Sequence, residues 1–105
     1  MFTFPPVASI EDQIRRSMEK VKEELGPEVI RIKTTFDDDW TGEPVIFFRV
    51  LVSDAAVRKQ GIGPISRKVR KRIGNDEVVE ASGLFPHFHF RTDREQAELK
   101  DKDWK

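Results

Sequence analysis

The sequence predicts a small α+β domain, a two-layer sandwich in which helices cover one face of a mixed or antiparallel three-stranded sheet. Two amphipathic helical patterns and three strand-like segments support this prediction. Their order is helix, strand, strand, helix, strand, helix, and we interpret residues 1–105 as a single domain. A helix between the second and third strands permits a right-handed crossover, so these two strands can be parallel neighbours.

The first predicted helix begins at Ser9, a suitable N-cap with Asp12 three residues later, and ends at Gly26-Pro27. Its apolar residues recur at intervals of three and four, which places them on one helical face. They are Ile10, Ile14, Met18, Val21 and Leu25. The opposite face is charged, as expected for a helix that packs on a core from one side.

Two strands are predicted next. In residues 28–37, EVIRIKTTFD, one set of alternate residues contains Ile30, Ile32, Thr34 and Phe36, and the residues between them are polar. This alternation is typical of a strand with one solvent-exposed face. The acidic, turn-prone residues 37–44 follow, and residues 45–54, VIFFRVLVSD, are apolar enough for a central strand. We expect an antiparallel hairpin, because the connection is short.

The second helical region is predicted to divide at the glycines of residues 61–64, GIGP. A short helix near 54–60 precedes a main helix over 63–73, which Gly74-Asn75 can cap. Residues 77–82, EVVEAS, are interpreted as a short edge strand or a loop. Residues 84–92 form the third predicted strand, and a Thr92-to-Glu95 capping box starts a final helix.

Composition narrows the classes of function. The formal net charge is 0 and the 36% of charged residues are mixed in sign, so no overall field attracts nucleic acid or a membrane. Cysteine is absent, which excludes disulfides and thiolate metal sites. The start of the chain does not resemble a signal peptide, and the longest apolar run is too short to cross a bilayer. We therefore expect a cytoplasmic protein.

The segment GLFPHFHFRTD, residues 83–93, contains the main candidate site. On a strand, His87, His89 and Arg91 project from one face while the intervening phenylalanines point to the other. Together with Phe47 and Arg49 of the middle strand, they are predicted to form an exposed partner-binding face. The partner is another protein or a second copy of this chain.

Trp40, in the acidic loop, has two interpretations. It either clamps the hairpin onto the sheet or offers an exposed anchor to a partner. We include it among the candidate partner-binding residues.

Two alternative functions remain open. One is RNA or DNA binding by the basic helix 66–72, whose cations surround an apolar stripe. These cations are Arg67, Lys68, Arg70, Lys71 and Arg72. The other is metal binding by His87 and His89, which would need a third ligand. Catalysis is not favoured, because neither a nucleophile motif nor a nucleotide-binding glycine motif is present, and we predict no cofactor.

Two blocks of the sequence, DDDWTGEPVIFFRVLVSD and GLFPHFHFRTDREQAEL, together with a late DKDW, resemble a family of small uncharacterised bacterial proteins. That resemblance implies no catalytic residues and suggests a protein-binding role, with a toxin–antitoxin-like system as the source of the partner. The element order also resembles that of K-homology-like domains and ribosome-binding factor A in topology alone. Residues 61–64, GIGP, depart from the G-x-x-G loop with which a K-homology domain contacts phosphates.

Overall fold

A computed structural model describes residues 7–99 and residue 104, with side chains described from Ile10 onward. The elements in chain order are α1 Val7–Leu25, β1 Val29–Asp38, β2 Pro44–Val52, α2 Asp54–Gln60, α3 Ile62–Gly74, α4 Glu77–Ser82, β3 Phe85–Thr92 and α5 Asp93–Leu99. These elements confirm the predicted α+β class. None of the described helices has the length and apolar character needed to cross a membrane.

The sheet has the strand order β1-β2-β3 within the described residues. β1 and β2 form the predicted antiparallel hairpin, whereas β2 and β3 are parallel, so the mixed form of the predicted sheet is the one observed. The register between β1 and β2 shifts between Val29 and Arg31. This bulge leaves Ile30 exposed, and its predicted grouping with Ile32 on the core face is therefore wrong.

The core lies between the sheet and the helices. Every second residue of β2 is fully buried, and these residues are Ile46, Phe48, Val50 and Val52. They pack in one cluster with apolar residues of three helices, namely Ile14, Met18 and Val21 of α1, Ile65, Val69 and Ile73 of α3, and Val79 of α4. Burying a side chain of this size contributes about 1.5–3 kcal/mol, so this cluster is the main source of stability. Helix packing on one face is confirmed.

The predicted division of the second helical region is also confirmed. Ser53 caps α2 by accepting a hydrogen bond from the N–H of Ala56 at 3.2 Å. Gly61 separates α2 from α3 with φ 88°, a backbone conformation that strains residues with a side chain. The chain can therefore change direction between the two helices, which lets α3 direct Ile65 and Val69 into the core.

Residues 77–82 form the helix α4, and the prediction of an edge strand or loop there is wrong. Asp76 caps the helix by accepting hydrogen bonds from the N–H groups of Val78 and Val79. Gly83 ends it in the left-handed conformation, with φ 71°. The cap and the burial of Val79 outweigh the strand preference of two adjacent valines.

The structure tests the predicted N-terminal caps of the first and last helices, α1 and α5. α1 begins at Val7, ahead of Ser9, and the predicted capping by the Ser9 side chain lies outside the described side chains. The capping box before α5 is confirmed. The N–H of Glu95 donates to the Thr92 hydroxyl at 3.0 Å, and the N–H of Thr92 donates to the Glu95 carboxylate at 3.2 Å.

Asp76 also connects three helices through its buried carboxylate. The hydroxyl of Ser17 in α1 donates to it at 2.6 Å, and Arg72 of α3 approaches it at 3.4 Å. Burial raises the pKa of Asp76, but the hydrogen bonds from Ser17, the α4 backbone and Arg72 outweigh that effect and the pKa is lowered. The ionised carboxylate is therefore the form that the folded state favours.

Replacing Asp76 is expected to destabilise the protein in a pH-dependent way. Asp76→Ala removes a helix cap and charge-assisted hydrogen bonds, and we expect a loss of about 2–3 kcal/mol near neutral pH. Because the folded-state pKa lies below the ordinary value, this contribution is present above about pH 4 and is lost as the pH falls through the folded-state pKa. Urea unfolding of both proteins across this range measures the difference. Asp76→Asn, which retains a capping oxygen, should lose less, and a pH-independent difference would contradict the assignment.

Candidate functional site

The face of the sheet opposite the helices carries the predicted site residues. Strand alternation and the pairing register assign twelve residues to it, and we name this surface the open face. Its members are Arg31, Lys33, Thr35 and Asp37 of β1, Val45, Phe47, Arg49 and Leu51 of β2, and Phe85, His87, His89 and Arg91 of β3.

The register brings together the residues that the sequence grouped. Phe47 is paired with His87, Arg49 with His89, and Leu51 with Arg91. These side chains lie side by side because β2 and β3 run parallel, so paired residues of the two strands project to the same face of the sheet. The predicted grouping of these side chains is therefore correct in geometry.

Aromatic rings occupy one end of the open face. The rings of Phe47 and His87 are stacked with their centroids 5.2 Å apart, and Phe85 meets His87 edge-on at the same distance. His89 is tilted toward Phe47 at 6.4 Å. Phe85 is 66% exposed, so this cluster presents apolar area to solvent as well as contacts within itself.

Trp40 lies in the turn of the hairpin beside this cluster and is 96% exposed. The alternative in which it clamps the hairpin onto the sheet is wrong. Asp39 organises the turn instead, because its carboxylate accepts hydrogen bonds from the Thr41 hydroxyl, the Thr41 N–H and the Glu43 N–H. The Thr41 hydroxyl lowers the pKa of Asp39 most, and the Glu43 and Thr41 amides and the charge of nearby His87 act in the same direction.

Cationic groups occupy the other end of the open face. The guanidinium of Arg49 donates to the Thr35 hydroxyl at 3.0 Å, which holds its side chain toward β1. Arg91 donates to the side-chain oxygen of Gln96 at 3.1 Å, and its guanidinium lies 4.6 Å from the centre of the Trp104 ring. The end of the sheet near Arg91 is therefore partly covered by the chain itself.

Trp104 is a residue whose role the sequence analysis missed. Its side chain is only 8% exposed, although it follows a strongly charged segment. The available signal was a single large apolar residue isolated among charges, which is typical of an anchor for a terminal segment. Residues 101–103 of the DKDW block lie outside the described part of the chain.

The basic helix is largely occupied by intramolecular contacts. Arg72 forms ion pairs with Glu24 at 2.6 Å and with Asp76, and Lys68 pairs with Glu28 at 3.1 Å. The guanidinium of Arg70 lies over the rings of Phe88 and Phe90 on the helix side of the sheet. Three of the five cations proposed for phosphate binding thus hold α3 to its neighbours.

The fold of the described residues places no third metal ligand beside His87 and His89. Among residues 7–99 and residue 104, no three His, Asp or Glu side chains gather into a group able to hold a metal ion. His87 is stacked on Phe47 and meets Phe85 edge-on, so its ring is part of an aromatic cluster. The pair formed by His87 and His89 remains a two-residue motif.

Comparison with known proteins gives no information on the role of the open face. No family model, curated protein or solved structure matches the chain. The resemblance to small bacterial proteins therefore stays a prediction, as does the topological likeness to K-homology-like domains. The chemistry of the open face itself is the basis for inferring function.

The contact between Arg91 and Trp104 should be measurable by a double-mutant cycle. A guanidinium over an indole contributes about 0.5–2 kcal/mol, so Arg91→Ala and Trp104→Ala should be non-additive by that amount in urea unfolding. Arg94→Ala combined with Trp104→Ala is the matched control, because Arg94 is exposed and pairs with Glu98 instead. Additive effects of Arg91→Ala and Trp104→Ala would show that the ring is held by other contacts.

Proposed function

We propose that the protein is a non-catalytic binding domain that docks an acidic partner protein through the open face. The observation that carries this proposal is the combination of exposed aromatic area and several cations on one sheet face that the core helices do not cover. Aromatic residues and arginine are the side chains most enriched at the energetic centres of protein interfaces. A toxin–antitoxin-like system as the source of the partner stays a prediction.

The charge of the open face favours an acidic partner over a second copy. Four cationic side chains, Arg31, Lys33, Arg49 and Arg91, share the face with one carboxylate, Asp37. A symmetric dimer through this face would bring the same cations close to one another, and like charges at an interface are unfavourable. A partner surface with carboxylates around an apolar centre would complement both the charges and the rings.

The arrangement of charges also favours protein over nucleic acid. Asp37, Asp38 and Glu43 are exposed beside the aromatic end, where a phosphate backbone would be repelled. In addition, Phe47 and His87 are stacked on each other rather than separated as platforms for bases. Because the surface is cationic at one end and acidic at the other, it suits a protein whose carboxylates are confined to one part of its contact surface better than a uniform polyanion.

Phe47→Glu is expected to weaken association without unfolding the protein, since Phe47 lies outside the core cluster. The tagged protein would be used to isolate a partner from extracts of the source cells, and the purified pair would then be measured by titration calorimetry. Loss of a central aromatic contact typically costs about 2 kcal/mol or more, so we expect at least a thirtyfold weaker Kd. Leu99→Glu is the control, because Leu99 is an exposed apolar residue on α5, outside the open face.

Four results would overturn this proposal. Two concern the purified partner: an affinity that is insensitive to Phe47→Glu, or a contact surface that is not acidic. The third is a homodimer of the isolated protein in light scattering, and the fourth is an oligonucleotide as the main ligand. In the last case, Arg67/Arg70/Arg72→Ala distinguishes the alternatives, since loss of oligonucleotide binding in this variant would support the basic helix. Binding that weakens with salt and with Phe47→Glu supports the acidic partner.

A further inference from the structure

A groove runs along the outer edge of β1, beside α1. Its volume is about 800 Å³, and it is lined on the helix side by Arg15, Arg16, Glu19 and Lys22 and on the strand side by residues 30–34 and Leu51. The exposed Ile30, displaced by the bulge, contributes apolar surface to it. This groove was not anticipated from the sequence, because it depends on how α1 crosses the edge of the sheet.

The groove contains hydrogen-bonding groups without partners. In the described part of the chain, β1 pairs with β2 alone, and no other backbone group bonds to its outer edge. Thr34 lines the groove and is only 8% exposed, and its hydroxyl has no hydrogen-bond partner among the described residues. A buried polar group without a partner costs about 1–3 kcal/mol, so a ligand that bonds to this hydroxyl recovers free energy.

The charge of the groove is strongly positive. Within residues 10–99, five cationic side chains line it against one carboxylate, that of Glu19, which already pairs with Lys22 at 3.0 Å. Arg15 is directed to Glu11 and to the ring of Phe36. Among the described residues, Arg16, Arg31 and Lys33 form no ion pair. The groove therefore attracts carboxylates or phosphates.

We propose that an extended acidic segment of a partner protein binds in this groove by adding a strand to the free edge of β1. Its backbone would complete the ladder along β1, which is ten residues long. Side chains of an added strand alternate between the two faces of the sheet. One set would meet α1 with Arg16 and the Thr34 side chain, and the other would meet Arg31 and Lys33, so a row of acidic residues is favourable on either side.

An added strand fits the groove better than a nucleic acid does. None of the residues that line it is aromatic, so it offers no platform on which bases could stack. The free backbone groups of β1, in contrast, are matched by another peptide backbone. A second copy of β1 that pairs over residues 30–34, the part that lines the groove, is disfavoured, because its own Arg31 and Lys33 would lie against these cations.

This groove shares Arg31, Lys33 and Leu51 with the open face, but its other wall is the flank of α1. Arg16 and Lys22 lie on α1, which packs against the opposite side of the sheet from Phe47. The two sites can therefore be disabled independently. The inference stands without the proposed function, and failure of one does not imply failure of the other.

The test uses a fluorescent peptide of alternating Glu and Val, about ten residues long to match β1, in anisotropy titrations at low salt. We expect saturable binding that is at least tenfold tighter than that of a Lys-Val peptide. A Glu-Pro peptide of the same length carries the same charge but lacks half of the backbone donors, and should also bind at least tenfold more weakly. Amide hydrogen exchange should slow in β1 when the Glu-Val peptide is bound.

Variants of the protein complete the design. Arg16→Glu/Lys22→Glu should weaken binding of the Glu-Val peptide at least tenfold, whereas Arg67→Glu/Lys71→Glu, with the same change of net charge on α3, should leave it unchanged. Phe47→Glu should also leave it unchanged. Absence of binding, equal affinity for the Glu-Pro peptide, unchanged affinity in Arg16→Glu/Lys22→Glu, or tighter binding of an oligothymidine would each overturn the inference.

Discussion

The alternation of burial along β2 from Ile46 to Val52 is the constraint on which the rest of the structure depends. Residues 46, 48, 50 and 52 are fully enclosed by helices, so the residues between them must project to the opposite side. A shift of the pairing by one residue would expose Phe48 and bury Arg49. Core packing therefore determines which residues of β2 lie on each face of the sheet. The composition of the open face follows from the packing of the helices on the opposite face.

The two proposed binding surfaces arise from different features of the same sheet. The open face uses side chains that point away from the core, whereas the groove uses the unpaired backbone of an edge strand and the flank of α1. Charged residues on an edge strand commonly deter association with other edges. Here the charges on the part of β1 that lines the groove, Arg31 and Lys33, are of one sign, so this part deters its own copy and still admits a segment of opposite charge. Both surfaces consequently favour an acidic protein as partner.

Local patterns in the sequence were sufficient to predict most of the fold. The spacing in α1, the glycines at 61–63 and the alternation in residues 84–92 each reflect short-range geometry, and the structure follows them. The prediction was wrong at α4, where burial of Val79 and capping by Asp76 depend on contacts with α1 and α3. The groove and the role of Trp104 were missed for the same reason, because each requires the relative positions of segments distant in the chain. The grouping of Phe47 with His87 succeeded because alternation and parallel pairing are sufficient to specify it.

The contrasting environments of the two tryptophans have a practical consequence for spectroscopy. Trp40 is almost fully exposed in the hairpin turn, whereas Trp104 is shielded and lies against a guanidinium. Their fluorescence should therefore separate into a long-wavelength component that acrylamide quenches readily and a shorter-wavelength component that it reaches poorly. Occupation of the neighbouring sheet surface would alter the first component, while release of Trp104 from Arg91 would alter the second. The natural sequence thus contains an intrinsic optical reporter for each event, without added labels.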